Sequence, residues 1–442
     1  MIRATEIRRN LDWFTVILFG LLLLAGWITI YSASYNPEAT SIFSLTEEYG
    51  KQFMWIGVCS VLGILVLNVE GDFYNRFAWA IYSGTLLLLA LVLIFGVEIN
   101  GAQAWFRIGN FSVQPSEFSK MGTSLLLAHF ISQAKVEFKR FETRLKAIAI
   151  IAAPAALILL QPDVGTLLVF IAFVLVMYRE GLSGNILIVG LGGLVLGVIA
   201  IMLAFSTFSY PFLGDQSGIF ILHLIIVIAS GLLIFVVKLF VLPRYRKRST
   251  MLVIIWGIVS LGFISSVDYV MQSDAVLKTH HKDRIQIMLG LIEDPQGKGY
   301  NMDKSKMAIG SGGWTGKGYL NGPLTKYNYV PEQSTDFIFT VVGEEWGFVG
   351  SVTVLILFVA LITRILFIAE RQRSQFTRVY GYCVGTILFM HLSINVGMVM
   401  GLAPVIGIPL PFFSYGGSSL MGFTLLIFIL LRLDSERMAG FR

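Results

Sequence analysis

Asp336 is the residue in this chain best placed to do chemistry. It closes the polar run Pro331-Glu332-Gln333-Ser334-Thr335-Asp336, and a membrane-length apolar segment starts at Phe337. Ionisable groups at such an entrance are costly to desolvate and are functional candidates by default. A carboxyl group shielded from bulk water gains proton affinity, which suits a general base. Thr335 or Asp336 could instead simply cap the following helix, and one residue can do both. Glu344 and Glu345, deeper in the same segment, read as structural groups paired within the bundle.

A second set of polar residues lies inside or beside apolar runs. Glu117 and Lys120, in Gln114-Pro115-Ser116-Glu117-Phe118-Ser119-Lys120, are three apart and share a helix face, with Pro115 suited to the first turn. Opposite charges inside a span need each other, so this pair is either structural or the wall of a polar slot for substrate. Asp163 follows Pro162 and suits an N-cap. His391 and Asn395, four apart, form a polar stripe. It reads as an interhelical hydrogen-bonded contact, since no second His or carboxylate is spaced to complete a metal site. Ser418, in Gly416-Gly417-Ser418-Ser419, lacks the strand–elbow–helix setting of a nucleophile and reads as small-residue packing. Finally, Arg284, Lys298, Lys304, Lys306, Lys317, Lys326 and His280-His281-Lys282 alternate with glycines in one stretch. Such a stretch suits an anionic group like a diphosphate; a plain solvated loop is the alternative.

The elements that must hold these residues are membrane helices. Of 442 residues, 56% are hydrophobic and only 14% charged, against about 25% charged in soluble domains, and mean hydropathy is +0.76. The apolar runs are continuous rather than alternating, which favours helices over a β-barrel. The sequence predicts an all-α polytopic protein, a single membrane domain over 1–442 with about twelve spans: 12–33, 52–69, 76–97, 115–134, 145–161, 164–178, 183–206, 218–241, 251–270, 337–367, 379–400 and 412–431. The first is a retained span rather than a cleaved signal.

Charge gives the orientation. The N-terminus, the 135–146 and 244–248 loops, Glu370-Arg371-Gln372-Arg373 and the C-terminal tail are all basic. With a cytoplasmic N-terminus, twelve spans put every one of them on the cytoplasmic side, both termini included. The net charge of +6 is thereby explained by topology, and nucleic acid is excluded as a partner. Outside lies the large loop 271–336, whose Ile285–Ile292 suits an amphipathic interfacial helix, with the candidate active site at its end. Cys59 and Cys383 fall inside apolar runs and read as inert thiols rather than a disulfide or zinc site.

Taken together, the chain resembles the SEDS family (shape, elongation, division and sporulation). The resemblance rests on Arg9-Asn10-Leu11-Asp12-Trp13, Tyr31-Ser32-Ala33, Gly101-Ala102-Gln103, Gln114 to Lys120, Gln161-Pro162-Asp163-Val164-Gly165-Thr166, Asp294-Pro295, Gly299-Tyr300-Asn301, Ala308 to Gly313, Pro331-Glu332, Thr335-Asp336-Phe337, His391 to Gly397, Pro409-Leu410-Pro411 and Ser414 to Ser419. The Gly-Lys-Gly-Tyr and Pro-Glu-Gln versions favour its elongation branch over its division branch. That likeness implies a peptidoglycan glycosyltransferase of the bacterial cytoplasmic membrane. It would polymerise lipid II at the outer face during cell elongation, invert the anomeric carbon and release undecaprenyl diphosphate. Its partners would be a class B penicillin-binding protein and the elongation machinery. Asp336 matches the family's essential aspartate, and Glu117 with Lys120 its paired intramembrane charges. Asp163, Arg107, Arg284 and Lys317 complete the candidate substrate-binding set. No cofactor is certain; a divalent cation (Mg or Mn) is left open. Departures are a two-helix insertion expected at 206–270 on top of a ten-helix bundle, Ala104 where arginine is common (Arg107 being the substitute), and Ser334 where histidine is common. The rival expectation is a lipid II flippase or transporter, and a third is a scaffold for which Asp336 would be dispensable.

Overall fold

The computed structural model describes residues 10–38, 41–99, 102–109, 111–133, 138, 140–210, 214–273, 298–403 and 405–437. Arg284, the 280–282 cluster and the expected interfacial helix at 285–292 lie outside them. The chain divides into two compact units, Met1–Ser183 with Tyr300–Arg442, and Gly184–Gly299.

The first unit begins with α1 (Trp13–Ala33), α2 (Glu48–Asn68), the short α3 (Gly71–Arg76) and α4 (Ala78–Phe95). Three strands follow, β1 (Val97–Ile99), β2 (Ala102–Ile108) and β3 (Phe111–Val113), paired antiparallel in that order. Next come α5 (Pro115–Ile131), α6 (Phe141–Leu160), α7 (Val164–Val169) and α8 (Ala172–Arg179). The second unit has α9 (Gly184–Ala204), the hairpin β4 (Thr207–Tyr210) with β5 (Gly214–Ser217), α10 (Gly218–Phe240) and α11 (Pro243–Gln272). Its small core joins Ala200, Ile219, Leu222, Ile226 and Ile264. The expected insertion at 206–270 falls inside this unit, which takes in α9 as well. The first unit resumes with α12 (Lys298–Gly312), α13 (Pro323–Lys326), α14 (Ile338–Glu370), α15 (Gln375–Val399) and α16 (Gly417–Ser435).

Among the described residues, ten helices are long and apolar enough to cross a membrane: α1, α2, α4, α6, α9, α10, α11, α14, α15 and α16. The other two expected spans are shorter. Helix α5 has 17 residues and carries both Glu117 and Lys120, and the 164–179 segment is split between α7 and α8. The strands were not expected from the sequence, because two to three alternations at a span end are too few to stand out from apolar flanks.

One departure from helical geometry shapes the site. Gly347 breaks α14 with φ 63° and ψ −155°. The loop after α12 stitches the break: Lys317 N and Gly318 N donate to the carbonyls of Glu344 and Glu345, while Phe348 N and Val349 N donate to those of Gly313 and Trp314. These four bonds pair backbone donors on both sides of the break, as non-helical backbone at membrane depth requires. The glycines of 308–313 therefore do not form the open loop that their spacing suggests. Gly312 ends α12 so close to Gly343 that a Cβ would lie 2.0 Å from its carbonyl oxygen.

At the far end of α14, Arg364 and Arg371 pair with Asp12, and Arg371 also with Asp434. This ties together the starts of α1 and the ends of α14 and α16. Gly347 has no room for a side chain, since a Cβ there would lie 2.3 Å from Gly316 N. Gly347→Ala should lose at least about 1–3 kcal/mol through backbone strain alone, read as a lowered thermal midpoint in detergent. An unchanged midpoint would contradict the stitched break.

Candidate active site

The site is built where α14 begins. Residues 331–337 form turns, with Thr335 N and Phe337 N donating to Glu332 O at 3.2 and 3.1 Å. Three consecutive carbonyls then each receive a donor from elsewhere in the unit. Tyr415 N reaches Ser334 O at 2.8 Å, Ser414 Oγ reaches Thr335 O at 2.5 Å, and Asn395 Nδ2 reaches Asp336 O at 2.8 Å. Asn395 also donates to Ile408 O at 2.7 Å, and Ser414 Oγ accepts from Leu410 N at 2.8 Å. The backbone carrying Asp336 is thus fastened to α15 and to the segment leading into α16.

Asp336 is half-buried, and its carboxylate faces that segment. A Cβ at Gly407 would lie 3.0 Å from Asp336 Oδ2, and Gly407 has φ +76°. Glycine is required there on both counts. On the other side of the same segment, Gly165 at the start of α7 packs on the carbonyls of Ile406 and Gly407, where a Cβ would lie 3.1 Å from each oxygen. Asp163 caps α7 as its position suggests, accepting from Thr166 N at 3.0 Å and Thr166 Oγ1 at 2.8 Å. It also accepts from Gln114 Nε2 at 2.9 Å, joining α7 to the start of α5.

Beneath this rim lies the charged pair. Lys120 and Glu117 are 0% and 1% exposed, with Lys120 Nζ 2.8 Å from Glu117 Oε2. The lysine does not stop there: it lies 2.8 Å from His391 Nε2 and 4.9 Å from the Phe423 ring centroid. His391 Nδ1 is 3.1 Å from Pro409 O. A carbonyl can only accept, so Nδ1 carries the proton and Nε2 accepts from the lysine. His391 and Asn395, one turn apart on α15, therefore hold the adjacent carbonyls of Pro409 and Ile408. Both are buried, and the histidine joins a charged pair as well as backbone.

The remaining candidates are spread along the same end of the unit. Lys317 Nζ lies 3.3 Å from Glu344 Oε1. Glu344 also accepts from Leu324 N, Thr325 N and Thr325 Oγ1, so it organises the 317–325 loop. Glu345 accepts from Leu320 N at 3.1 Å and from Ser32 Oγ on α1. The loop's Tyr319 reaches Ile28 O at 3.4 Å. Burial, with Glu345 nearby, pushes its phenol up to about 12, so it remains a neutral donor at physiological pH. Arg107 is exposed on β2, opposite Ser112 of β3. Ser418, buried in the first turn of α16, sits beside Gly417, where a Cβ would lie 2.2 Å from the Trp55 indole; that turn serves close packing.

Sequence reasoning did not single out Gln114, Gln333, Gly407 or Ser414 by role. Gln333 Nε2 spans Ala33 O and Thr325 O at 2.7 and 2.9 Å, holding the turn before Asp336 to α1. Nothing local marks such residues, since the contacts that tie them to the site include partners far off in sequence: Asp163 for Gln114, Ala33 for Gln333 and Thr335 for Ser414. Among the described residues no three His, Cys, Asp or Glu side chains cluster as a metal site. A divalent cation at this rim would need oxygens from a substrate diphosphate as well as from Asp336.

Ten membrane-length helices among the described residues, with a half-buried carboxylate where one of them begins, define a multi-pass membrane protein with a polar site at a helix entrance. The chain belongs to the FTSW_RODA_SPOVE family of cell cycle proteins, the SEDS family, whose model matches residues 12–212 and 211–439. It is 35% identical over 435 residues to the peptidoglycan glycosyltransferase RodA of Treponema pallidum, covering 94% of this chain and 96% of that protein. It is 30% identical over 413 residues to the peptidoglycan glycosyltransferase MrdB of Escherichia coli, covering 93% and 90%. A solved chain from a peptidoglycan synthase complex that coordinates polymerisation and crosslinking aligns with TM-score 0.69 and 27% identity, over 97% of this chain and 98% of that one. The crystal structure of Thermus thermophilus RodA, at TM-score 0.60 and 23% identity, shares the fold over 97% and 98%.

Asn395 is the side chain on which this rim turns. Asn395→Leu should strand the carbonyls of Asp336 and Ile408, each at about 1–3 kcal/mol. Thermal unfolding in detergent should show the loss; an unchanged midpoint would mean that the bridge is dispensable.

Proposed function

We propose that this chain is a peptidoglycan glycosyltransferase that polymerises lipid II into glycan strands, with Asp336 as its general base. Support for the activity comes from relatives over nearly the full chain that carry that name. Support for the residue comes from one observation: a half-buried carboxylate whose own carbonyl and the two before it are each held by a donor from another element. A base must be held within hydrogen-bond reach of the proton it takes, and a fastened backbone supplies that.

In this reading Asp336 takes the proton from the 4-hydroxyl of a GlcNAc residue. That oxygen attacks the anomeric carbon of MurNAc in a second lipid-linked chain, with inversion. The bond to the diphosphate breaks, and undecaprenyl diphosphate leaves with the electron pair. Cationic groups at the rim stabilise the departing charge. Arg107 is exposed for that task, whereas Lys317 already serves Glu344. Glu117, Lys120, His391 and Asn395 are positioning residues here: they hold the 408–409 backbone against which Asp336 is set. The site faces outward, both termini lie in the cytoplasm, and a class B penicillin-binding protein cross-links the product during cell elongation.

A flippase would use the same buried charges, but transporters bind substrate near the bilayer midplane, and Asp336 stands at a helix entrance. Purified protein with its penicillin-binding partner, supplied with labelled lipid II, should yield glycan strands and undecaprenyl diphosphate. A parallel reaction with chelator reads any need for a divalent cation. Translocation of lipid II without glycosidic bonds would overturn the enzyme reading.

A further inference from the structure

Lys306 on α12 follows Ser305, a node of the packing around Asp336. Ser305 is 0% exposed; its Oγ lies 2.5 Å from Thr340 Oγ1 and donates to Val399 O at 3.2 Å. Thr340 comes four residues after Asp336, and Val399 four after Asn395. Lys306 itself extends onto the connection that leaves α15. A Cβ at Gly401 would lie 2.1 Å from Lys306 Cε and 2.5 Å from its Nζ, and Gly401 has φ +76°. Glycine is needed there for the turn and for the lysine alike. The same connection carries Gly407, against which the Asp336 carboxylate lies.

The ammonium has little else to serve. Asp303 Oδ1 is 4.0 Å away on a side chain that is 73% exposed, and a solvated pair at that distance contributes little. Among the described residues Lys306 Nζ donates no hydrogen bond. The other cations of this region are engaged or turned elsewhere. Lys317 serves Glu344, and Lys326 lines a small cavity with Ser32 and Glu345. Lys304 lies over the Tyr300 ring, 5.2 Å from its centroid; two positions from Lys306, it does not share its helix face. Arg107 belongs to β2, which packs on α4 and α5.

Inversion at a sugar sets where a cation is useful. The attacking oxygen and the leaving oxygen stand on opposite faces of the anomeric carbon, so the group that meets the leaving side stands off from the base. In inverting glycoside hydrolysis the two catalytic groups are about 6.5–9.5 Å apart. Lys306 adjoins a contact made one helix turn, about 5.4 Å, along from Asp336, which suits that separation. A lysine ammonium with its donors free binds phosphate oxygens as a compact charge.

We propose that Lys306 binds the diphosphate of the lipid-linked donor and stabilises it as it leaves, an assignment that rests on the glycosyltransferase reading above. The bond from the anomeric carbon to the diphosphate oxygen breaks, its electron pair stays on that oxygen, and Lys306 donates hydrogen bonds there while keeping its proton. Labelling of the wild-type protein with an amine-acylating reagent, read by mass spectrometry, tests the contact without any variant. Undecaprenyl diphosphate should protect Lys306 and leave Lys304 reactive, and undecaprenol should protect neither. With the penicillin-binding partner and labelled lipid II, Lys306→Gln should polymerise about 10²–10³-fold more slowly, the range for one donor lost at a developing charge. Lys306→Arg, which keeps the charge, should recover most of that rate. Lys306 equally reactive with and without undecaprenyl diphosphate, equal protection by undecaprenol, or wild-type polymerisation by Lys306→Gln would each overturn the assignment. Protection of Lys306 by undecaprenyl diphosphate in a protein that forms no glycosidic bond would uphold the anion site and overturn the glycosyltransferase reading instead.

Discussion

Three successive carbonyls, at Ser334, Thr335 and Asp336, set the terms for this molecule. They belong to backbone that has not yet become helix, at the point where the chain enters apolar surroundings, and water cannot be relied on to pair them. A backbone amide, a serine hydroxyl and an asparagine amide from the 395–415 region take one each. Because those three donors come from α15 and the segment after it, the direction of Asp336 is set by the packing of helices that it does not belong to.

That packing rests in turn on buried charge. An ion pair deep in a bundle adds little net stability over apolar residues of similar size, so stability alone is a weak account of Glu117 and Lys120. Geometry is a better one. Lys120 reaches both Glu117 and His391, and His391 reaches Pro409 O, so the proton on the imidazole and the height of the 408–410 segment are fixed together. The break at Gly347 does similar work on the other flank. It lets the 313–318 loop dock on α14 and brings Glu344 and Glu345 under the turns that precede Asp336.

How much of this was legible in the sequence depends on range. The apolar runs marked ten of the twelve expected spans as membrane-length helices, and the abrupt passage from polar to apolar at Phe337 marked Asp336. Spacing put Glu117 beside Lys120, and Pro162 placed Asp163 as a cap; each is a contact within a turn of helix. Lys120 with His391 is separated by 271 positions and Asn395 with Asp336 by 59, and no local period records such partners. Gly347 looks like any other helix glycine, since its distinction lies in the approach of Gly316. The short strands between α4 and α5 escaped for a related reason: their pairing, not their composition, makes them strands.

In the proposed function the Asp336 side chain performs chemistry while its backbone carries the architecture. Asp336→Asn separates the two, since it keeps shape and every backbone contact. The purified variant with its penicillin-binding partner should unfold at the wild-type temperature and polymerise lipid II about 10²–10⁴-fold more slowly, the range for loss of a general base. Glycan strands made at the wild-type rate by a stably folded Asp336→Asn protein would contradict the account.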